Sequence, residues 1–515
     1  MAFPANGNSD TNHAVLVHSK VPHHAGKPVL QPFVSFSIEF AWFPDFAGNK
    51  SHPNHFSNHL LENLGDLQGA RPIVRVGGNT QDYAVYDPTL ETARSMTIIP
   101  SIAPDYPRYL NIGTSYFESY STFPDTKFIH GFNMGQNGSE GMESLLATAT
   151  LACKALQGGK LEYWELGNEP DQFTTTDRGT RRPGTWSDQD YVDEWLKKTT
   201  DIRKKMEESC PRYMSGRKYI APSLANLGSD GLNPVTVWRD GLNKHENIAL
   251  DSAHNYMGGA DEPGVTLQKT LMNHTAVVNK VAQHLNVTRI LNSENLTPDI
   301  PYILGEMNSL YNQGAPGLSN SFGASLWGVD FNLYCASQDI RRTHMHQGLD
   351  YRYAAWQPIE TKKTTIGTKA PYYGNAMVAA MMRGGDDVRI VNLPLEEEME
   401  AAYAAYVAGK LARIAVVNMR EFNYSVSEPE MTRPSKKYEF KIPGANGELE
   451  VQRLMANGSN ALSGVTWDGW SYNYELEAGK PVRMHNVTVG ETVQVDGQGL
   501  VKIEVPYSSG AILNI

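Results

Sequence analysis

Short apolar segments alternate with segments of helical periodicity from about residue 33 to about residue 385. Eight of the apolar segments have the length of a strand. The segments between them place apolar residues three and four positions apart, which is typical of helices packed on a sheet. The predicted strands are 33–40, 72–77, 127–133, 161–168, 218–223, 249–256, 302–307 and 340–346, and the predicted helices include 55–67, 140–156, 191–208, 266–285 and 322–337.

This alternation predicts βα units around a parallel sheet. Eight units in about 350 residues fit a (β/α)8 TIM barrel, whose active site lies at the carboxyl ends of its strands. A doubly wound open sheet is the structural alternative. It favours a glycine-rich phosphate-binding turn after the first strand, and the sequence contains no G-x-G-x-x-G, P-loop or G-x-S-x-G pattern.

The pattern changes after about residue 386 to short strands separated by Gly, Pro and Asn. Regular short strands with turn residues between them predict an antiparallel β-sandwich. Its predicted strands are 402–407, 412–418, 438–442, 449–454, 487–494, 500–505 and 511–515, and one further strand-like run covers residues 14–18.

Two of the predicted barrel strands lead into a glutamate. The fourth is followed by Glu169, which lies between Asn168 and a proline, and the seventh contains Glu306. For an isolated Asn-Glu-Pro sequence, a carboxylate that caps the next helix is the alternative. Two carboxylates at two strand ends instead favour cleavage of a glycosidic bond, which requires such a pair.

The segments ELGNEPD and ILGEMNS, which carry these glutamates, resemble the two catalytic strands of glycoside hydrolase family 79 in clan A, and most closely its fungal β-glucuronidase branch. The resemblance implies that Glu306 is the nucleophile and Glu169 the acid/base of a retaining mechanism. It also implies that the first residues join the β-sandwich. We therefore predict an N-terminal segment 1–32 in that domain, a barrel at 33–385 and the sandwich at 386–515.

Further predicted site residues follow other strand ends. Glu39 closes the first strand, and the resemblance implies that it binds sugar hydroxyls; a salt-bridged carboxylate is the alternative. Asn79 follows two glycines and offers both a donor and an acceptor; a simple Gly-Gly-Asn turn is equally consistent with the sequence. Asn168 stands beside the acid/base. Tyr256 closes the sixth strand, where the resemblance implies a residue that orients the nucleophile.

The resemblance places two further functions in the loops after strands seven and eight. Tyr311 corresponds to a tyrosine that contacts the sugar. Backbone N–H groups around Gly348, together with Tyr351, correspond to the group that binds the glucuronate carboxylate. The spacing between these two is one residue longer than the pattern, so Tyr353 is an alternative to Tyr351. Arg352, in the same loop, offers an ion pair as the competing mode of recognition.

The resulting hypothesis is a retaining, exo-acting β-glucuronidase for terminal β-D-glucuronic acid, with or without 4-O-methylation. The alternatives are another clan A hydrolase, either heparanase-like and endo-acting or specific for neutral sugars, and an inactive carbohydrate-binding protein. We predict no cofactor and no metal. His344 and His346 share one side of a strand, but no third ligand follows at metal-binding spacing.

Charge and composition indicate neither nucleic acid nor a membrane as a partner, and the resemblance implies a β-glucuronide substrate, either a small glycoside or a glycan terminus. The chain has 45 basic and 56 acidic residues, a net charge of −11, and contains no basic cluster that indicates nucleic acid. No apolar run reaches the ~20 residues of a membrane span. The sequence does not predict the oligomeric state.

Secretion is predicted from eight Asn-x-Ser/Thr sequons, although residues 1–10 lack the apolar core of a signal peptide. The chain is then a mature, N-glycosylated form; a protein that is not secreted is the alternative. The sequons begin at Asn49, Asn137, Asn273, Asn286, Asn295, Asn423, Asn457 and Asn486. Among three cysteines, Cys153 and Cys210 lie on consecutive predicted helices, so the sequence allows one disulfide with Cys335 left free. Three buried thiols are the alternative, and the sequence does not decide between them.

Overall fold

The computed structural model describes residues 14–175, 181–210, 218–228, 231–428 and 430–515. Eight parallel strands close into a barrel in their order along the chain, and the eighth pairs with the first. Each lies within or beside a predicted segment, so the (β/α)8 barrel is confirmed. The strands are Val34–Glu39, Val74–Gly77, Phe128–Phe132, Leu161–Leu166, Tyr219–Leu224, Ile248–Gly259, Tyr302–Tyr311 and Thr343–Gln347.

Longer helices follow seven of the eight strands: His55–Gln68, Gly138–Ala155, Asp188–Ser209, Pro234–Arg239, His274–Ser293, Phe322–Ser337 and Ala370–Met381. The second strand is followed instead by a small sheet, Ala84–Tyr86, Arg94–Thr97 and Tyr109–Ile112, and by the 3-10 segment Thr114–Ser121. Shorter elements complete this part of the chain: Phe40–Trp42, Phe43–Ala47, Asn79–Tyr83, Pro170–Gln172, and the strand pair Trp356–Gln357 and Gly367–Thr368. The site-bearing loops are therefore unequal, with the largest after strand two.

The predicted helix 266–285 is wrong at its N-terminal end. Residues Leu267–Leu271 form a single π-helical turn, and the α-helix begins only at His274. The side chain of Asn273 accepts a hydrogen bond from the Ala276 N–H, which is the geometry of an N-cap. A capping residue inside an apolar pattern thus divides one predicted helix into two elements.

The C-terminal part of the chain forms an antiparallel β domain, as predicted. Its sheet runs in the order Val15–Leu16, Ser435–Lys441, Leu500–Pro506, Glu491–Val495, Gly447–Met455, Ser509–Asn514, Lys410–Asn418, Glu400–Val407 and Val388–Leu393, with the short strands Thr466–Trp467, Trp470–Ser471 and Val482–Arg483 attached and the helix Tyr474–Glu477 nearby. Val15–Leu16 pairs in parallel with Phe440 and Lys441. The domain limits at residues 32 and 385 stay predictions.

A buried polar contact joins the barrel to this sheet. The Tyr403 hydroxyl lies 2.5 Å from an Asp330 carboxylate oxygen, and His274 Nδ1 lies 2.9 Å from the same oxygen. Asp330 lies on the helix Phe322–Ser337 and is fully buried. Because a buried carboxylate that loses its partners is costly, this contact fixes the sheet against the barrel wall.

Cys153 and Cys210 form a disulfide with their Cα atoms 6.3 Å apart, and Cys335 is free and buried. The structure thus contains the disulfide that the sequence left open. It joins the helices Gly138–Ala155 and Asp188–Ser209, which flank the fourth strand.

Among the described helices, none has both the length and the apolar character needed to cross a membrane.

Candidate active site

Glu169 follows the carboxyl end of strand four, Glu306 lies within strand seven, and both side chains are buried. Glu169 has a left-handed backbone (φ 48°), and its N–H donates to the Ser223 carbonyl at 3.0 Å. A carboxylate oxygen of Glu169, one of Glu306 and a ring nitrogen of His254 all lie within 4.8 Å of one another. His254 Nδ1 is 3.1 Å from Glu169 Oε1. The distance between the carboxylate oxygens of Glu169 and Glu306 matches the ~5–5.5 Å of retaining rather than inverting glycosidases.

The surroundings of Glu306 keep its carboxylate ionised. The Tyr256 hydroxyl donates to Oε1 at 2.8 Å, and Arg75 Nη1 donates to Oε2 at 2.8 Å. Burial alone would raise the pKa of Glu306, but the charges of His346, His254 and Arg75 outweigh burial. With the hydrogen bond from Tyr256, they hold the pKa of Glu306 well below its usual value.

Arg75 contacts residues on both segments that carry the candidate catalytic glutamates. Its fully buried guanidinium donates to Glu165 Oε2 at 2.8 Å, Ser37 Oγ at 2.8 Å and Asn168 Oδ1 at 2.7 Å, in addition to Glu306. Sequence reasoning missed this residue as part of the site. The available signal was an arginine inside an otherwise apolar strand, because a buried charge requires a partner.

His346 lies between the carboxylates of Glu306 and Glu39. Its Nδ1 lies 2.8 Å from Ser37 Oγ and 3.5 Å from Glu306 Oε2, and its Nε2 lies 3.4 Å from Glu39 Oε2. Burial would lower the pKa of His346, but the carboxylates of Glu306 and Glu39 raise it above the usual value. The two carboxylates thus favour the protonated form of His346 beside Glu306, a contact that was not predicted from the sequence.

Glu39 is held by the turn after strand two. The Thr80 N–H and hydroxyl donate to Glu39 Oε1 at 2.8 and 2.6 Å, and the Tyr351 hydroxyl donates to Oε2 at 3.3 Å. Gly78 has φ +90°, and a Cβ there would stand 2.7 Å from Glu39 Oε1. Glycine is therefore required at this position for the turn to approach the carboxylate.

The two predicted asparagines are brought together. Asn168 Nδ2 donates to Asn79 Oδ1 at 3.2 Å, and the Asn168 N–H donates to Asp82 Oδ2 at 2.7 Å. Asn79 lines the pocket, whereas Asn168 is not among the lining residues. Asn168 instead connects Arg75 to Asn79.

Tyrosines and polar side chains complete the pocket, which contains about 30 Å³ of open space. Gly348 is not a lining residue; a Cβ there would stand 2.6 Å from the Tyr351 ring, so this glycine allows that ring to pack. The lining residues are Glu39, Asn79, Tyr106, Glu169, Tyr256, Glu306, Tyr311, Asn312, Gln313, His346, Tyr351 and Tyr353.

A polar groove of about 780 Å³ opens next to the pocket and shares Glu169, Tyr256 and Tyr311 with it. It extends toward the ends of strands five and six, where Asn226 and Met257 line it. A molecule that spans both spaces therefore passes directly over Glu169.

Glu169, His254 and Glu306 are also the described residues whose atoms could together hold a metal ion, and this group does not include His344 or His346. Both oxygens of Glu306 and one of Glu169 already take part in hydrogen bonds within the protein. His344 Nδ1 lies 3.4 Å from the Phe36 carbonyl oxygen. The absence of a metal requirement stays a prediction.

Comparison with known proteins identifies the family of the chain. A family model described as the glycosyl hydrolase family 79 C-terminal beta domain matches residues 402–512. A curated β-glucuronidase of Aspergillus niger is 64% identical over 507 residues, covering 97% of this chain and 93% of the relative. A β-glucuronidase of Neurospora crassa is 46% identical and covers 94% of each chain.

Among solved structures, a 4-O-α-L-rhamnosyl-β-D-glucuronidase from Fusarium oxysporum, crystallised with Rha-GlcA, matches with a TM-score of 0.79 and 21% identity, over 98% of this chain and 100% of that one. A family 51 α-L-arabinofuranosidase from Bifidobacterium longum matches with a TM-score of 0.62 and 13% identity, over 97% and 98% of the two chains. At these identities the likeness shows the fold.

Barrel, paired carboxylates and relatives together define a glycoside hydrolase. The near full-length identity to two curated β-glucuronidases narrows this class further. The chain belongs to glycoside hydrolase family 79, in its fungal β-glucuronidase branch.

Proposed function

We propose that this chain is a retaining, exo-acting β-glucuronidase that removes terminal β-D-glucuronic acid from glycosides or glycans. The observation that carries the proposal is the approach of Glu169 and Glu306 to within 4.8 Å where a small pocket adjoins a larger groove. The assignment of glucuronic acid as the sugar is supported by the two curated relatives, both of which are named β-glucuronidase.

In the proposed mechanism, the Glu306 carboxylate attacks the anomeric carbon while Glu169 donates its proton to the departing oxygen. A glycosyl–enzyme ester forms and the leaving group departs along the groove. Glu169, now a carboxylate, takes a proton from water, and that water displaces Glu306 from the sugar. Tyr256 and Arg75 bind the Glu306 oxygens and thereby orient the nucleophile.

Neutral donors are proposed to hold the sugar's carboxylate. The N–H groups of Asp350, Tyr351 and Arg352 already donate to Gln357 Oε1, to the Gly348 carbonyl and to the Gln313 carbonyl. These amides therefore do not serve as free donors. The remaining neutral groups lie in the pocket wall: the hydroxyls of Tyr311 and Tyr353 and the carboxamides of Asn312 and Gln313.

Arg352 is committed elsewhere. Its Nη1 lies 2.7 Å from Asp105 Oδ2, and its Nε donates to the Gly314 carbonyl at 3.0 Å. It does not line the pocket. An ion pair from this residue to the substrate is thus disfavoured, in agreement with the neutral-donor hypothesis.

The test of the proposal compares 4-nitrophenyl β-glucuronide with the corresponding β-glucoside. We expect kcat/KM to favour the glucuronide at least ~10²-fold, because donors that bind the carboxylate remain unpaired over a CH2OH group. Arg352→Ala should leave this ratio largely intact. Loss of glucuronide activity alone in that variant would show that an ion pair recognises the sugar, and equal rates on both substrates would contradict the glucuronidase assignment.

Exo action is supported by the loop that carries Tyr106. Asp105 is buried and bound by two cations, Arg352 at 2.7 Å and Lys363 at 2.8 Å. Lys363 also donates to the Pro104 carbonyl at 2.9 Å. These bonds hold the loop that carries Tyr106, a residue that lines the pocket but not the groove. We propose that Tyr106 blocks extension of the substrate beyond its terminal sugar.

Opening this loop should admit internal glucuronic acid. The parent enzyme is expected to prefer an unsubstituted aryl β-glucuronide at least ~10²-fold over one that carries a further sugar on O4, because steric exclusion removes binding energy. The double variant Asp105→Asn, Tyr106→Gly should reduce that preference at least ~10-fold, by the same argument in reverse. Steady-state kinetics on both substrates measure it. The matched control is Tyr109→Gly, an exposed tyrosine of the same loop that does not line the pocket; an equal change there would refute the assignment of Tyr106.

We also propose that the protein is secreted and N-glycosylated. The Cys153–Cys210 disulfide supports this, since such bonds persist in oxidising compartments.

A further inference from the structure

A groove lies in the β domain, and its lining residues all come from the C-terminal part of the chain, after residue 421. It consists of two hollows of about 490 and 550 Å³. We call it the Asn486 groove, because Asn486 lines both hollows. The other residues that the hollows share are Arg433, Met455, Thr466 and Val487.

The first hollow has an apolar wall that is open to solvent. Tyr424, Met431 and Leu476 line it and are 36%, 46% and 44% exposed. Contiguous exposed apolar surface with a polar rim indicates a binding surface rather than a scatter of single residues. Polar groups, among them Ser471 and Asn473, lie along the same wall.

The chemistry of the groove argues against an anionic partner. Arg433, its shared cation, donates to the carbonyl oxygens of Tyr507, Ala456 and Ser508. The guanidinium of Arg433 therefore stabilises the fold and is not available to bind an anion. A ligand that combines apolar C–H faces with hydroxyl groups, as a pyranose ring does, fits an apolar wall with polar edges.

Three of the eight sequons converge on this groove. Asn457 and Asn486 are exposed and line it. Asn423 is adjacent, because the hydroxyl of Ser459, from the Asn457 sequon, donates to Asn423 Oδ1 at 2.8 Å. The structure thus joins a sugar-compatible groove to the attachment points of sugars.

We propose that Asn486 carries an N-glycan whose first sugars lie in the groove and cover its apolar wall. Attachment at the junction of the two hollows makes the contact intramolecular, so weak stacking suffices to hold the glycan there. The inference depends on passage through the secretory route, which is part of the proposed function, and is independent of the catalytic assignment.

The test uses full-length protein from a fungal secretory host and from bacteria. Thr488→Ala removes the sequon but retains Asn486, and Ser139→Ala removes the exposed Asn137 sequon as the matched control. We expect glycopeptide mass spectrometry to find Asn486 occupied. Thr488→Ala from the fungal host should lower Tm by about 2 °C or more and increase binding of an apolar dye. Ser139→Ala should change neither.

Protein made in bacteria separates the effect of losing the glycan from the effect of the side-chain substitution, because the parent and both variants then lack sugars. The parent and Thr488→Ala should there have equal Tm and equal dye binding. An unoccupied Asn486, equal shifts in the two fungal variants, or a Thr488→Ala shift that persists in bacterial protein would each overturn the proposal. Activity on aryl β-glucuronide should stay unchanged throughout, so a failure here is distinguishable from a failure of the catalytic assignment.

Discussion

Glu306→Gln is expected to lower kcat on every β-glucuronide by at least ~10⁴-fold, whatever the leaving group. The amide retains the shape of the side chain and can still accept a bond from Arg75 or Tyr256. It cannot form the glycosyl ester, so the first chemical step is lost. Because the pKa of Glu306 is held well below its usual value, the parent enzyme has the ionised nucleophile at any pH above that lowered value.

The assignment is checked with Glu306→Ala and azide, which should yield the glucuronosyl azide of inverted configuration because azide enters from the side the nucleophile has left. Glu165→Gln is the matched control: Glu165 also binds Arg75 but does not line the pocket. It should lose much less activity. A larger loss in Glu165→Gln than in Glu306→Gln would remove Glu306 from the role of nucleophile.

The second large effect is expected at Glu169, and it should depend on the leaving group. Glu169→Ala should lower the rate ~10²–10⁴-fold on alkyl and glycan leaving groups, which need a proton to depart. Activated aryl groups, which leave without one, should form the glycosyl enzyme nearly as fast as with the parent. Stopped-flow bursts on a dinitrophenyl glucuronide measure this step directly.

Azide should restore turnover of Glu169→Ala with retained configuration, since it replaces water in the second step. An inverted azide product, or equal losses on alkyl and dinitrophenyl substrates, would contradict the acid/base role and exchange the two assignments.

Local patterns predicted much of the barrel because its strands are buried on both faces and therefore appear as apolar runs. The helix Phe322–Ser337 coincides with its predicted helix, and it too is buried along nearly its whole length. The prediction of a helix at 266–285 placed its start too early, because the capping residue Asn273 is a single polar position inside an apolar pattern. The strand Val388–Leu393, at the edge of the sheet, was not predicted. No cluster of turn residues follows it in the sequence to mark its end.

The sequence by itself determined the barrel, the β domain and the two glutamates, because each depends on residues close together in the chain. Only the tertiary structure decided how those glutamates are tuned. Arg75 reaches Glu306 across 231 positions, and His346 reaches Glu39 from strand eight only because the barrel closes and strand eight pairs with strand one. Closure also commits Arg352 to Asp105 and turns Tyr106 into the pocket wall. Such contacts depend on strand register and loop course in three dimensions, which no local spacing records.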